Sequence, residues 1–201
     1  MFLTDHGIVS PDEGLMLEER LFRERKSCMI LYTRDRPTVS LGRFNNADEY
    51  VDTPFTEKNN VTVVRRMSGG SAVYSDSDQL VFTMITDRSS FSDKMDSYKV
   101  ICNCLVDALA HLGIKAEYKP RNDILVGGMK ISGCAQYRDR ETLLHHGTLI
   151  LKLNEKMMDG SLKRVKERKY PRLTSVEESL GYVPERKKIA EAFEKGFSGL
   201  R

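Results

Sequence analysis

The stretch Arg65-Arg66-Met67-Ser68-Gly69-Gly70-Ser71-Ala72-Val73-Tyr74-Ser75-Asp76 constrains this chain most. The β-branched run Val61 to Val64 leads into it, and the apolar run Leu80 to Ile85 follows it. Glycine permits φ > 0 and close approach of backbone N–H groups to a ligand. Successive N–H groups in such a turn form a concavity that binds anions, and arginine adds a planar donor fork suited to phosphate. The segment therefore reads as a strand–turn–strand anion cradle. The other reading is an ordinary glycine-rich hairpin with surface arginines.

The rest of the chain offers a core large enough to hold such a turn. It has 201 residues, 40% apolar and 30% charged, which fits one ordered globular domain over 1–201. No apolar run reaches the ~18 residues of a membrane span, and the N-terminus lacks the basic and apolar regions of a secretory signal. The four cysteines, Cys28, Cys102, Cys104 and Cys134, follow neither C-x-x-C spacing nor a disulfide framework, so free thiols in a reducing cytoplasm are expected. A net charge of +3, without aromatic–basic alternation, gives no reason to expect nucleic acid.

Ser10-Pro11-Asp12-Glu13 is a helix start. Leu15, Glu18, Glu19 and Phe22 then recur at helical spacing, predicting a helix over 11–24. Short strands are expected at 29–33 and 38–41, a short helix within 47–59, a loop at 87–95, a helix over 96–112 closed by Gly113, and a strand at 115–118. Cys102 and Cys104 lie about 200° apart on that helix, so they cannot share a metal and read as packing thiols. Gly127-Gly128 predicts a two-residue hairpin pairing Val126 with Met129 and Leu125 with Lys130. By the period of two, Met129 and Ile131 share one face, and Lys130 and Ser132 the other. Leu143 to Leu151 reads as a strand on which the adjacent His145 and His146 point to opposite faces. The basic run from Ser161 to Arg172 is either a solvated face or a surface for an acidic partner. Helices are expected at 175–180 and 184–197. Strands that do not alternate regularly with helices point to an α+β fold with a mixed sheet.

Four ordered pieces now stand together: Arg65-Arg66-x-Ser-Gly-Gly-x-Ala-Val-Tyr-x-Asp, Arg121-Asn122-Asp123, Lys130-Ile131-Ser132-Gly133-x-Ala135-Gln136, and His145-His146-Gly147-Thr148-Leu149. With Leu41-Gly42-Arg43 and the helix carrying Leu17-Glu18-Glu19, they resemble the lipoate–protein ligase A family over about residues 11–197. Ser71 stands where that family usually has a third glycine, Ser75 where it has histidine, and Asn45 where it has glutamine.

The resemblance implies a mixed sheet flanked by helices, like the catalytic cores of biotin protein ligases and class II aminoacyl-tRNA synthetases. It implies ATP-dependent activation of lipoate to lipoyl-adenylate, then transfer to a lysine ε-amine of an acceptor, either the lipoyl domain of a 2-oxoacid dehydrogenase E2 or the glycine-cleavage H protein. Lys130 would be the catalytic cation, touching both lipoyl carboxyl and phosphate. Arg66, Ser71, Ala72, Val73, Tyr74 and Lys130 would line the ATP/adenylate site. Gly70, Ser71, Lys130, His146 and Gly147 would hold lipoate, and Val73, Leu80 and Leu149 are candidates for its apolar slot. Asn122 and Asp123 would meet phosphate or Mg²⁺, with no dedicated protein metal cage. The small C-terminal domain that many such ligases carry is expected to be absent, which implies a separate accessory subunit or a transferase that takes pre-activated acyl groups. The alternatives are an octanoyl or lipoyl transferase, for which Cys134 is a candidate nucleophile, and a non-catalytic nucleotide- or acceptor-binding subunit.

Overall fold

In a computed structural model, residues 2–163 and 171–200 are described. The chain runs β1 (Phe2–Val9), α1 (Pro11–Arg23), β2 (Cys28–Arg34), β3 (Thr38–Leu41), α2 (Ala47–Tyr50), α3 (Thr53–Lys58), β4 (Thr62–Arg65), β5 (Val73–Ser75) and β6 (Gln79–Asp87). It continues through α4 (Lys94–His111), β7 (Glu117–Lys119), β8 (Asp123–Val126), β9 (Met129–Arg138), β10 (Thr142–Ile150), α5 (Glu155–Ser161), α6 (Val176–Leu180) and α7 (Arg186–Gly196). Most basic residues of the 161–172 run (Arg164, Lys166, Arg168 and Lys169) lie outside the described residues.

Seven strands form a large sheet in the order β1-β2-β6-β10-β9-β8-β7, and three form a small one in the order β4-β3-β5. The large sheet is mixed, with β1 parallel to β2 and its other pairs antiparallel. This is the expected α+β class. Helix α1 begins as its sequence dictates. Ser10 Oγ accepts from the Glu13 N–H, and the Glu13 carboxylate accepts from the Ser10 N–H. These bonds satisfy two backbone donors that helix geometry leaves over.

The two faces of the large sheet have different roles. On one, α4 and α7 close a core that includes Leu80, Ile101, Leu105, Leu149 and Phe193, all at most 1% exposed. The other carries α1 over Ile30, Tyr32, Ile85 and Leu144, and beside α1 the small sheet and α5. The functional cavity opens on this second face.

Three elements differ from the sequence reading. β1 was not expected, because Asp5-His6-Gly7 interrupts its apolar pattern. The structure accommodates the interruption as a register break between Asp5 and Ile8, with Gly7 at φ +70°. At that break Arg186 of α7 donates to both Asp5 carboxylate oxygens at 2.6 Å and to the Gly7 carbonyl at 2.9 Å. β5 and α5 were also not expected. β5 is three residues long, too short to carry a pattern.

The glycine-rich stretch is not a hairpin. β4 pairs parallel with β3, and β5 pairs antiparallel with β3 from its other side. The loop 66–72 therefore crosses over the end of β3.

Candidate active site

A cavity of about 810 Å³ lies between this loop and the β8–β9 ribbon. Arg66, Gly70 to Tyr74, Asn122, Lys130, His146 and Gly147 all line it. Asp123 does not, but it holds Lys130, its Oδ1 lying 2.6 Å from Nζ.

Adjacent strand positions point to opposite sides, which makes Arg65 and Arg66 stitches for two loops. Arg65 Nη1 donates to the carbonyls of Gly42, Arg43 and Asn45 at 2.8–3.2 Å. Arg66 is buried. Its Nε donates to Ser68 Oγ at 3.0 Å, Nη1 to the Ser40 carbonyl at 2.6 Å, and Nη2 to the carbonyls of Gly69 and Ser71 at 2.8 Å. Three of the five guanidinium donors thus shape the loop, and a fourth ties it to β3. Arg66 meets the cavity with its pKa pulled down to about 10 by burial. Two glycines allow the loop's path. Gly70 sits at φ +97°, and a Cβ on Gly42 would overlap the Gly70 carbonyl oxygen.

Opposite stands Lys130. Gly127 and Gly128 at φ +56° and +79° form the predicted tight turn, and the pairs Val126–Met129 and Leu125–Lys130 are as expected. A bulge then follows. Ile124 pairs with Ser132, so β9 carries one extra residue opposite the Ile124–Leu125 step. This breaks the predicted alternation. Ile131 enters the core beneath, while Met129, Lys130 and Ser132 all line the cavity. Gly133 leaves the space into which Lys130 folds, since a Cβ there would lie 2.6 Å from Cε and Nζ. The Lys130 side chain is about a quarter exposed. Asn122 Nδ2 donates to the Cys134 carbonyl at 2.6 Å, fixing the chain beside it.

The His pair divides as predicted. His146, Thr148 and Ile150 of β10 line the cavity, while His145 and Leu149 face α4 and α7. The same alternation corrects the apolar slot. Val73 lines it, but Leu80 and Leu149 are core residues, and their neighbours Val81, Thr148 and Ile150 take that place. His146 Nδ1 lies 3.0 Å from Glu18 Oε2, and its Nε2 lies 2.6 Å from Ser68 Oγ. Glu18 Oε1 also accepts from Tyr32 Oη at 2.9 Å and Thr83 Oγ1 at 2.6 Å. Burial raises the Glu18 pKa, but the charge and hydrogen bond of His146, with the two hydroxyls, outweigh it and hold the carboxyl at about 2.

The order Ser68–His146–Glu18 has the spacing of a nucleophile triad. Ser68 is fully buried, however, and accepts from Arg66, so it is not presented to a substrate. The sequence reading gave Ser68, Tyr32 and Thr83 no role, and it placed Glu18 only on the helix. The available signal was an acidic residue between Leu15 and Phe22 on the apolar stripe of α1.

Cys134, a candidate nucleophile, borders the cavity, but it is only 5% exposed and its Sγ packs against Cys102 Sγ of α4 at 4.0 Å. The contact with Cys102, against burial, holds the Cys134 thiol below its ordinary range. With His145 these thiols form a tight group of soft donors. Gln136 Nε2 lies 2.9 Å from His145 Nδ1, and Arg138 and Ser97 both donate to Gln136 Oε1. This orientation makes Nδ1 the acceptor, so Nε2 turns a proton, not a lone pair, toward the sulfurs.

The fold and cavity define an α+β domain in which a tied backbone cradle faces one lysine side chain. The model of the lipoyl protein ligase A/B catalytic domain matches residues 10–198, and the chain belongs to that family. Lipoate-protein ligase LplJ of Bacillus subtilis is 35% identical over 152 residues, 75% of this chain and 45% of that one. Octanoyltransferase LipM of Oceanobacillus iheyensis is 31% identical over 196 residues, 84% of this chain and 71% of that one. The chain spans about half the length of the curated lipoate–protein ligases it matches. Among solved structures, a lipoate-protein ligase A bound with ATP is 26% identical with a TM-score of 0.82, over 98% of this chain and 83% of that one. A Thermoplasma acidophilum protein solved with bound lipoic acid is also 26% identical, with a TM-score of 0.81 over the same shares. Biotin protein ligase from Aquifex aeolicus shares the fold at 14% identity and a TM-score of 0.55, over 98% of this chain and 67% of that one. No helix among the described residues is long and apolar enough to cross a membrane.

Proposed function

We propose that this domain joins lipoate to ATP as lipoyl-adenylate and passes the lipoyl group to a lysine ε-amine of an acceptor protein. The observation that carries this reading is that Lys130 and the Gly70–Tyr74 cradle, some sixty residues apart, line one cavity. Attack of a carboxylate on an α-phosphate brings two anions together. It needs fixed donors and a cation more than a protein nucleophile. The cradle supplies backbone donors held by Arg66. Lys130 supplies a point charge able to leave Asp123, meet the mixed anhydride, and later screen the acyl oxygen as adenylate departs. Val73, Val81 and Ile150 suit the apolar tail.

Mg²⁺ would arrive on the triphosphate and neutralise part of its charge. Asn122 and Asp123 offer oxygen donors beside Lys130, a set that suits a hard cation held mainly by phosphate. The acceptor is a lipoyl domain of a 2-oxoacid dehydrogenase or an H protein, met in the cytoplasm, and a separate small subunit is a further partner.

The resemblance to an octanoyltransferase supports a second reading, transfer from a carrier thioester. The burial of the Cys134 thiol against Cys102 weighs against it as the acyl carrier, although the residue borders the cavity. The test is to incubate the chain with lipoate, ATP, Mg²⁺ and a lipoyl domain, with and without a candidate subunit, and weigh the acceptor. Label without any carrier thioester is expected. Label only from octanoyl-carrier, lost in Cys134→Ala, would establish the transferase instead. Bound nucleotide without label under any condition would leave a binding subunit.

A further inference from the structure

Glu18, His146, Ser68 and Arg66 form one continuous chain of hydrogen bonds, and its ends lie in different layers. Glu18 comes from α1 and His146 from β10, so both belong to the large sheet's side. Ser68 and Arg66 belong to the loop of the small sheet. The links measure 3.0, 2.6 and 3.0 Å. Every member is buried, with exposures of 2% for Glu18, 6% for His146, 0% for Ser68 and 7% for Arg66.

The bonding leaves little capacity for a ligand. Glu18, acceptor-only as a carboxylate, takes three donors. Both ring nitrogens of His146 are engaged, and Ser68 Oγ bridges Arg66 and His146. Buried polar networks of this kind rigidify when complete and are costly when one member is lost. Beyond Arg66 the same guanidinium holds the Gly69 and Ser71 carbonyls, which orient the peptides of the cradle.

We propose that Glu18, His146 and Ser68 are positioning residues. They fix the Arg66 guanidinium, and through it they aim the cradle N–H groups at the phosphate, without touching it themselves. The floor of the acyl slot and the anion site are thereby one unit. This rests on the adenylation reading for its kinetic consequence, but not for its structural one.

The test uses the full chain with Ser68→Ala, Ser68→Thr and the near-isosteric Glu18→Gln. Two things are measured: ATP- and lipoate-dependent pyrophosphate release, and the amide NMR resonances of Gly69 to Ser71. Ser68→Ala and Glu18→Gln are expected to lower kcat by about 10–100-fold, as misplacement of the reacting groups by a remote change does, while KM for lipoate changes less than about threefold. Both variants should shift and broaden the cradle amides. Ser68→Thr, which keeps the hydroxyl, should restore both measurements. Cradle amides unmoved in Glu18→Gln and Ser68→Ala would overturn the proposal whatever the activity. Amides that move with kcat unchanged would overturn it as well. If wild-type protein releases no pyrophosphate, the adenylation reading fails alone, and the amide shifts then decide whether the unit exists.

Discussion

The two walls of the cavity are built on opposite plans. The cradle wall is tied: Arg65 and Arg66 bind backbone carbonyls of the 42–45 and 69–71 segments, Gly42 admits Gly70 at close range, and a buried network secures Arg66 from behind. The ribbon wall is loose only at its side chain: Lys130, two residues past a two-glycine turn, has its backbone bonded to Arg172 and Thr174, but its ammonium is held by one carboxylate and lies over a glycine in a partly exposed position. A site that stabilises charge appearing only in the transition state gains most from donors that need no reorganisation. A cation that must serve two successive anions gains from freedom to move. Each wall suits one of these demands.

The largest test of this contrast removes the ribbon's cation. Lys130→Ala should lower pyrophosphate release by about a thousandfold, a loss of electrostatic stabilisation with the fold retained; near-wild-type release would move the role to the tied wall. Next, Gly42→Ala forces a methyl into the Gly70 carbonyl. It should lower the thermal midpoint by about 5–10 °C, as overpacking of a fixed backbone does, and reduce activity with it. Gly133→Ala is its counterpart on the loose wall. The clashing atoms are the flexible end of Lys130, so the melting temperature should hold while activity falls about tenfold, comparable to other misplacements of a catalytic group. Equal thermal losses in the two glycine variants would erase the distinction between the walls.

Much of this site was legible in the sequence because it rests on local chemistry. The Gly127-Gly128 turn, the capping box of α1 and the opposed His145 and His146 each follow from a few adjacent residues. What was not legible arises where distant strands meet. The loop after Arg66 looked like a hairpin because its flanking strands are consecutive, yet β3 lies between them. The arginines read as donors for phosphate because isolated guanidinium groups are; that the carbonyls of Ser40, Gly69 and Ser71 draw three donors of Arg66, and those of residues 42–45 draw Arg65 Nη1, was not visible in the sequence. The bulge at Ile131 turned Met129 toward the cavity, and no rule of two could foresee it. Leu80 and Leu149 were assigned to the slot only because the inward face of each strand was unknown.

Two smaller effects sharpen the comparison. The Glu18 carboxyl is depressed in the folded state, so its contribution is fully present above the ordinary carboxylate range and is lost as pH falls from about 4.5 toward about 2. A shift of that size is of order 3 kcal/mol. Acid unfolding followed by circular dichroism should be flatter across that window in Glu18→Gln. Smallest is Asp123→Asn, which frees Lys130 from a partly exposed pair. Such pairs contribute up to about 1 kcal/mol, so pyrophosphate release should change less than about fivefold. A loss above a hundredfold would mean that Asp123, and not mainly phosphate, holds the metal.

Far from the cavity, the kink at Gly7 and the guanidinium of Arg186 seated in it decide how the outer margin of the large sheet meets the surroundings. A strand left open at its edge invites another chain to add on. Here an incoming strand would find the ladder out of step halfway along, with the Gly7 oxygen already occupied and a fork of charge in the way. The helix that completes the core also guards that flank against self-association through added strands.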